Sequence, residues 1–310
     1  MAINIQENIS IAPYTTFKIG GNARWFANVS NAEHIQEALF WAKEKQTKVF
    51  LLGGGSNILV SDNGFDGLVI RMEEGVPLVE GSKITAFSGS ILKSVVILAK
   101  DRSLGGMEYL YGIPGSVGGA VRGNAGAFGV EIKDVVSSVK VIERQSLEII
   151  TLTNTQCHFS YRSSVFKERG DMVVVEAVFS LKEGKKEELE LRMEETDSKR
   201  NARQNQSAQC AGSFFVNPVV SNEALRKEFE KETGAISREN KVPAGWLIDR
   251  VGLRGKRIGG AMVSETHPNY ILNAGGASAS DVVMLMSYIK QQVRDKLGVE
   301  LAQEVEFVGF

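Results

Sequence analysis

The chain has 310 residues, of which 43% are hydrophobic and 24% charged, with a net charge of −1 at pH 7. That length gives ample core for two or three domains, and the near-zero charge excludes bulk attraction to nucleic acid or to an anionic membrane surface. No apolar run approaches the roughly 20 residues that span a bilayer, and the N-terminal MAINIQENIS has neither a basic nor an apolar signal region.

A cytoplasmic location is therefore expected. Two cysteines, Cys157 and Cys210, fit a reducing compartment without a disulfide framework. Three histidines and no HExxH or CxxC leave no metal site to expect. Cys157 and His158 are neighbours, which on a strand point to opposite faces, against a Cys–His nucleophile pair.

In chain order, Tyr14–Val29 reads as strand, Gly-Gly turn and strand, with Ala23, Trp25 and Ala27 alternating against Arg24, Phe26 and Asn28. Ser30 or Asn31 caps a helix to about Gln46, with Ile35, Ala38, Leu39 and Ala42 on one face. Lys48–Leu52 is a short buried strand running into Gly53-Gly54-Gly55-Ser56-Asn57. Two short strands are expected within 58–71, two more at Val76–Glu80 and Lys83–Phe87, and a helix near Ile91–Arg102. Strands resume at Val135–Glu143, Leu147–Leu152 and Met172–Leu181. Lys185–Gln204 reads as a charged connecting helix or a solvated one, and Gln204–Gln209 as a linker. Helices follow at Glu223–Thr233, Pro243–Gly252 and Asp281–Leu297, the last stopped by Gly298, and the chain ends on a strand at Leu301–Val308.

The stretch Gly105–Gly129 carries nine glycines in 25 residues and is not expected to be a core element. Repeated glycine permits positive φ and close backbone approach. The usual need for both is a row of N–H groups aimed at a phosphate; simple chain reversal is the alternative. Gly53–Asn57 is a second such loop. Neither matches GxGxxG or GxxxxGK[ST], so a Rossmann site and a P-loop are not supported. Two loops with Ser56, Asn57, Ser116 and Asn124 beside their glycines suit a pyrophosphate, hence a dinucleotide held outside a Rossmann fold.

Three further positions stand out. Arg162, among aromatic and apolar neighbours, requires a partner, either a protein carboxylate or a substrate carboxylate. Ser213, between Gly212 and two phenylalanines, lies outside any GxSxG elbow; it is a structural serine or a hydroxyl donor. Glu304 and Glu306 share one face of the final strand, and alternation does not choose between them.

Together these pieces resemble the UDP-N-acetylenolpyruvoylglucosamine reductases. The resemblance spans nearly the whole chain, through TTFKIGGNA (15–23), LGGGSNILV (52–60), GIPGSVGGAVRGNAGAFG (112–129), YRSSVF (161–166), GSFFVNP (212–218), AGWLIDRVGLRGKRIGGA (244–261) and Glu304-Val305. It implies an α+β chain: a two-subdomain FAD-binding fold of the vanillyl-alcohol-oxidase type at 1–68 and 69–204, then an α+β substrate-binding domain at 205–310. Noncovalent FAD is then expected between the two subdomains. Its contacts are expected from Gly53, Gly54, Gly55, Ser56 and Asn57, and from Pro114, Gly115, Ser116, Gly118, Gly119, Asn124, Ala125 and Gly126. NADPH is the implied co-substrate, and no metal is required.

The resemblance also implies roles. Hydride adds to the vinyl carbon of an enolpyruvyl ether on a UDP-sugar, and negative charge builds at C2 and its carboxylate. Arg162 supplies fixed positive charge, Glu304 in protonated form donates to the carboxylate side, and Ser213 gives a proton to C2. This match selects Glu304 over Glu306. Tyr161, Asn217 and Lys256 are implied as substrate contacts. Val216 stands where many members carry lysine, and only 51 positions separate Arg162 from Ser213, which marks the shorter type without an extra closing segment. A monomer without nucleic-acid or membrane partners is expected. An FAD oxidase of the same fold, or a nucleotide-binding protein without turnover, are the other readings.

Overall fold

The computed structural model describes residues 3–201 and 208–310; most of the expected linker at Gln204–Gln209 lies outside them. The chain forms two units. One comprises Met1–Ile9, Ala23–Gly54 and Asp66–Ala202, the other Ser10–Asn22, Gly55–Phe65 and Arg203–Phe310. Two short segments from the first 68 residues thus belong with the C-terminal third.

The first unit is built on two sheets. A four-stranded sheet runs in the order Ile5–Ser10, Asn22–Val29, Phe65–Met72, Lys48–Leu52, with the last two parallel. The helix Ala32–Glu44 covers it through Ile35, Ala38, Leu39 and Ala42, and its first turn is capped by the Asn31 side chain. The expected helix face and cap are both present. The expected strand before the Gly-Gly turn is not: Ala12–Tyr14 is a 3-10 turn and Thr15–Gly21 has no strand.

A five-stranded antiparallel sheet runs Ile149–Thr153, Val136–Glu143, Met172–Ser180, Lys83–Phe87, Leu78–Glu80. Its central strand is buried on both faces. Val173 and Val175 join the core under the helix Ala32–Glu44, while Met172, Val174, Ala177 and Phe179 join the core under the helix Leu92–Asp101. Strict alternation would put Val174 and Ala177 on opposite faces. Val141 pairs with Val174 and Lys140 with Glu176, so one extra residue is accommodated in a bulge that resets the phase.

The glycine stretch departs from expectation. It contains a helix, Val117–Arg122, whose Val117, Ala120 and Val121 are core residues. The charged helix Lys186–Asn201 is not merely solvated either: Leu189, Met193 and Thr196 are buried. Arg192 bonds the buried Glu108 carboxylate at 3.1 Å, and that carboxylate also accepts the Gly106 N–H at 2.6 Å.

The second unit has a four-stranded antiparallel sheet in the order Cys210–Ser213, Tyr270–Asn273, Ala261–Val263, Arg257–Ile258. The helices Glu223–Thr233, Ala244–Arg250 and Ala279–Leu297 share its core. Phe17, Ile19 and Leu59 are buried in that same core, which is why their segments belong here. Ile58–Val60 pairs in parallel with Glu306–Val308. The final strand is therefore shorter than expected, and Glu304 is not on it. Asp62 accepts the Ala279 and Ser280 N–H groups at 2.8 and 3.1 Å, neutralising donors that the helix start would leave unpaired.

The same helix has a capping box of Ser278 and Asp281. N–H bonds from Ser278 and then Gly260 hold the Asp281 carboxyl below its ordinary value of 3.8. A carboxylate with a depressed folded pKa stabilises fully above its unfolded pKa, and the effect disappears as pH falls through the folded value. Asp281→Asn is expected to lower stability at pH 7 by about 0.5–1 kcal/mol. Urea unfolding at pH 7 and at progressively lower pH should show that difference shrinking as the pH falls below 3.8.

Candidate functional site

The two Gly-rich loops meet. A Cβ on Gly54 would lie 2.6 Å from Gly115 Cα and 3.1 Å from Ser116 N, and a Cβ on Gly53 would collide with Ser116 Oγ. Only glycine lets the backbones close this far. Ser116 caps the helix Val117–Arg122 by accepting the Gly119 N–H at 3.4 Å. Gly118 serves the fold itself, since its N–H donates to Ser88 O at 2.8 Å and a Cβ there would lie 2.8 Å from Ser88 Cβ. By contrast the N–H groups of Gly54, Gly55 and Asn57 meet no protein acceptor among the described residues. Close approach and available donors are what an anionic pyrophosphate needs, so this loop fits the diphosphate of a flavin dinucleotide.

Asn124 and Arg162 show how the stretch is used. Asn124 is fully buried at φ +43°. Its Nδ2 donates to Glu131 Oε2 at 3.0 Å and to Ser160 O at 2.9 Å, and its Oδ1 accepts the Lys133 N–H at 3.0 Å. Both donor hydrogens of this amide are occupied within the protein, so its side chain forms an internal clamp. Ala125 and Gly126 likewise serve the local frame: Ala125 donates to Ala120 O at 2.8 Å, and Gly126 pairs with Glu131 in a short hairpin. Pro114 and Gly119 are exposed.

Arg162 sits at φ +56° in a tight turn closed by Ser160 and Ser163, which bond each other in both directions. One end of the turn is held by Asn124. The other is held by the fully buried Ser164, whose hydroxyl donates to Arg122 O at 2.6 Å. The guanidinium donates from Nη2 to Gly126 O at 3.2 Å and stands 5.3 Å over the exposed Tyr161 ring. The turn thus takes its footing from residues 122–126, at the exit of the glycine stretch. Cys157 and His158 are not on a strand. They end a 3-10 turn, with Cys157 buried and its thiol pushed up to about 11 by desolvation, the opposite of an activated nucleophile.

In the second unit Ser213 ends its strand at a bulge: Cys210 pairs with Leu272 but Ser213 with Tyr270, and Gly212 takes φ +76°. The next two residues, Phe214 and Phe215, are fully buried. Glu304 donates its N–H to Phe214 O at 2.8 Å, so the segment carrying Glu304 runs alongside the residues that follow Ser213. Asn57 completes the group, its Nδ2 donating to Glu304 O at 3.2 Å and its own carbonyl accepting the Glu306 N–H at 3.0 Å. Ser213, Glu304 and Asn57 are therefore brought together, and Glu306 is set apart from Glu304 by the strand's later start. No side chain among the described residues bonds Ser213 Oγ.

Asn217 uses its Oδ1 to accept the Ala244 N–H at 3.0 Å, and Lys256 is exposed with its ammonium 5.0 Å over the Tyr288 ring. Two contributors escaped sequence reading. Thr16 donates its hydroxyl to Cys210 O at 2.6 Å and its N–H to Gly55 O at 3.0 Å, tying the glycine loop to the Ser213 strand. Asn269 brackets Phe214 and Phe215. Thr16 lay within the motif TTFKIGGNA without a role of its own, and the only signal for Asn269 was polarity beside an apolar run, which a turn residue shares.

The FAD binding domain family model matches residues 23–152, and the model for the C-terminal domain of UDP-N-acetylenolpyruvoylglucosamine reductase matches 204–308. The chain is 36% identical over 309 residues to UDP-N-acetylenolpyruvoylglucosamine reductase of Solibacter usitatus, covering 100% of this chain and 97% of the relative. It is 40% identical to UDP-N-acetylenolpyruvoylglucosamine reductase 1 of Bacillus cereus, covering 97% and 94%. The crystal structure of UDP-N-acetylenolpyruvylglucosamine reductase from Thermus caldophilus superposes with a TM-score of 0.78 at 31% identity, covering 99% of each chain.

The chain belongs to the UDP-N-acetylenolpyruvoylglucosamine reductase family. As a member of that reductase family it has the expected α+β class, an FAD-binding domain followed by the reductase C-terminal domain. In the reductase fold the glycine loops carry a direct test. Gly54→Ala puts a methyl group against the Gly115 backbone, which has no flexible side chain to move aside. The variant is expected to fold, with unchanged far-UV circular dichroism, yet to lose flavin on dialysis, its FAD affinity falling about tenfold or more. Retention of yellow colour equal to the parent protein would contradict the assigned role of the loop contact.

Proposed function

We propose that this protein reduces the enolpyruvyl ether of UDP-N-acetylenolpyruvoylglucosamine to UDP-N-acetylmuramate, a step in peptidoglycan precursor synthesis, using noncovalent FAD and NADPH. With NADPH as the reductant, bound FAD would supply the hydride chemistry. In this reading Gly53–Asn57 and Pro114–Ser116 hold its pyrophosphate, with Gly118, Gly119, Ala125 and Gly126 shaping the second loop. Residues 1–68 and 69–204 act as the cofactor-binding subdomains and 205–310 as the substrate domain.

The protein's own groups manage the substrate. Once hydride has added to the vinyl carbon, C2 bears electron density shared with its carboxylate. Arg162 opposes that charge, and its pinned turn means little reorganisation is needed as the charge develops. Glu304, in its protonated form, donates a hydrogen bond to the carboxylate. The Ser213 hydroxyl gives its proton to C2, completing addition of H⁻ and H⁺ across the double bond, and recovers a proton from solvent. A weak neutral acid suffices because the enolic carbon is a strong base, and a neutral hydroxyl adds no charge beside a carboxylate. Tyr161, Asn217 and Lys256 contact the sugar nucleotide, Asn217 through its Nδ2 since its Oδ1 serves Ala244. The protein acts as a cytoplasmic monomer without nucleic-acid partners. No helix among the described residues is long and apolar enough to cross a membrane.

The observation that carries the reading is the Ser213 hydroxyl, without a protein partner among the described residues, placed one residue before the backbone bond from Glu304 to Phe214. The test separates the half-reactions. In Ser213→Ala, anaerobic NADPH should bleach the flavin at the parent rate. Reoxidation by the enolpyruvyl substrate should slow by about 10²–10⁴-fold, the usual worth of a positioned acid. Stopped-flow absorbance at the flavin band reads both, and reoxidation at the parent rate rules out Ser213 as the proton donor.

A further inference from the structure

We propose that Asn269 is the positioning residue that sets the direction of Ser213 and the place of Glu304. This rests on the roles given to those two residues above. Asn269 is buried, 4% exposed. Its backbone oxygen accepts the Phe214 N–H at 2.7 Å, its Oδ1 accepts the Phe215 N–H at 3.0 Å, and its Nδ2 donates to Phe215 O at 2.8 Å. A primary amide has the donor and acceptor of a peptide group. Here it continues the ladder of the strands Cys210–Ser213 and Tyr270–Asn273 beyond their last backbone pair, Ser213 with Tyr270.

The opposite edge of the same dipeptide is held by the C-terminal segment. Phe215 bridges Gln303, Glu304 donates to Phe214 O at 2.8 Å and Val216 donates to Ala302 O at 2.9 Å. Phe214 and Phe215 are thus fastened on both edges. Ser213 lies between this clamp and Gly212, whose φ of +76° makes the chain before it a bulge. With no side-chain bond of its own among the described residues, the hydroxyl takes its orientation from the backbone on either side. The clamp is the rigid side. Releasing Asn269 also leaves the Phe215 N–H and C=O without partners in a buried region, where each would seek new ones by moving the chain.

The mechanism needs the hydroxyl at C2 and the carboxyl beside it, and a displacement of about 1 Å costs on the order of 10²-fold in rate. Asn269→Ala is therefore expected to keep its flavin and its NADPH bleaching rate while reoxidation by the enolpyruvyl substrate slows about 10²-fold. In the protein without substrate, amide hydrogen exchange at Phe214, Phe215 and Glu304 should quicken about tenfold or more. The double variant Ser213→Ala, Asn269→Ala decides the route. If Asn269 acts through Ser213 and Glu304, the double variant is slowed by less than the product of the two single effects; slowing by that full product overturns the proposal.

Normal reoxidation in Asn269→Ala, with Ser213→Ala impaired, also overturns it while leaving the functional reading intact. Normal reoxidation in Ser213→Ala removes the functional reading first. Should Asn269→Ala fail to hold flavin, Asn269→Asp supplies the test. The carboxylate keeps an acceptor for Phe215 N–H and loses the donor to Phe215 O. Slowed reoxidation with unchanged bleaching at pH 8 supports the proposal, and the parent rate of reoxidation refutes it.

Discussion

Buried backbone must have hydrogen-bond partners, and at two turns of this protein a side-chain amide supplies them. Asn124 closes the Ser160 end of the turn that carries Arg162, and Asn269 closes the dipeptide that follows Ser213. Both amides are buried and bonded through nitrogen and oxygen. A strand supplies such partners along one direction only. An asparagine supplies them at a bend, where the chain must leave the sheet to present a functional group. Loop-borne chemistry on a rigid support is a general arrangement, and here the rigidity is provided by two polar side chains as well as by apolar packing.

The glycines divide by role. Gly54 and Gly115 allow two loops to touch, Gly118 allows the stretch to lie against Ser88, and Gly212 accepts a left-handed φ beside Ser213. None of these uses requires a ligand. The N–H groups of Gly54, Gly55 and Asn57, by contrast, have no protein acceptor among the described residues. A run of glycine is therefore a mixed signal: part of it serves closure of the protein on itself, and part leaves donors for an anion.

The second unit also shows why the N-terminal segments matter to the C-terminal chemistry. Phe17, Ile19 and Leu59 complete its core, Asp62 caps its longest helix, and Ile58–Val60 forms a parallel pair with Glu306–Val308. Asn57 lies at the start of that pairing and bonds the Glu304 carbonyl. One short segment thus connects the end of a glycine loop to the place of a candidate acid, through hydrogen bonds that exist only when residues far apart in sequence are assembled.

Local periodicity determined the elements with one apolar face. The helices Ala32–Glu44, Leu92–Asp101 and Ala279–Leu297 follow from apolar spacing, with a side-chain cap on the first from Asn31 and on the last from Ser278. The glycine loops were legible from composition, whereas Arg162, Ser213 and Glu304 were singled out by the resemblance to the reductases, residue type alone leaving each with a structural alternative. Tertiary structure decided the rest. Glu304 left the final strand because its N–H is claimed by Phe214, 90 positions earlier in the chain. Asn124 became a clamp because Ser160 and Lys133 fold onto it, and Val117–Arg122 became a core helix despite its glycines because three apolar residues found a buried face. Spacing along the chain records which side a residue faces; it does not record which distant carbonyl or N–H will arrive there to be bonded.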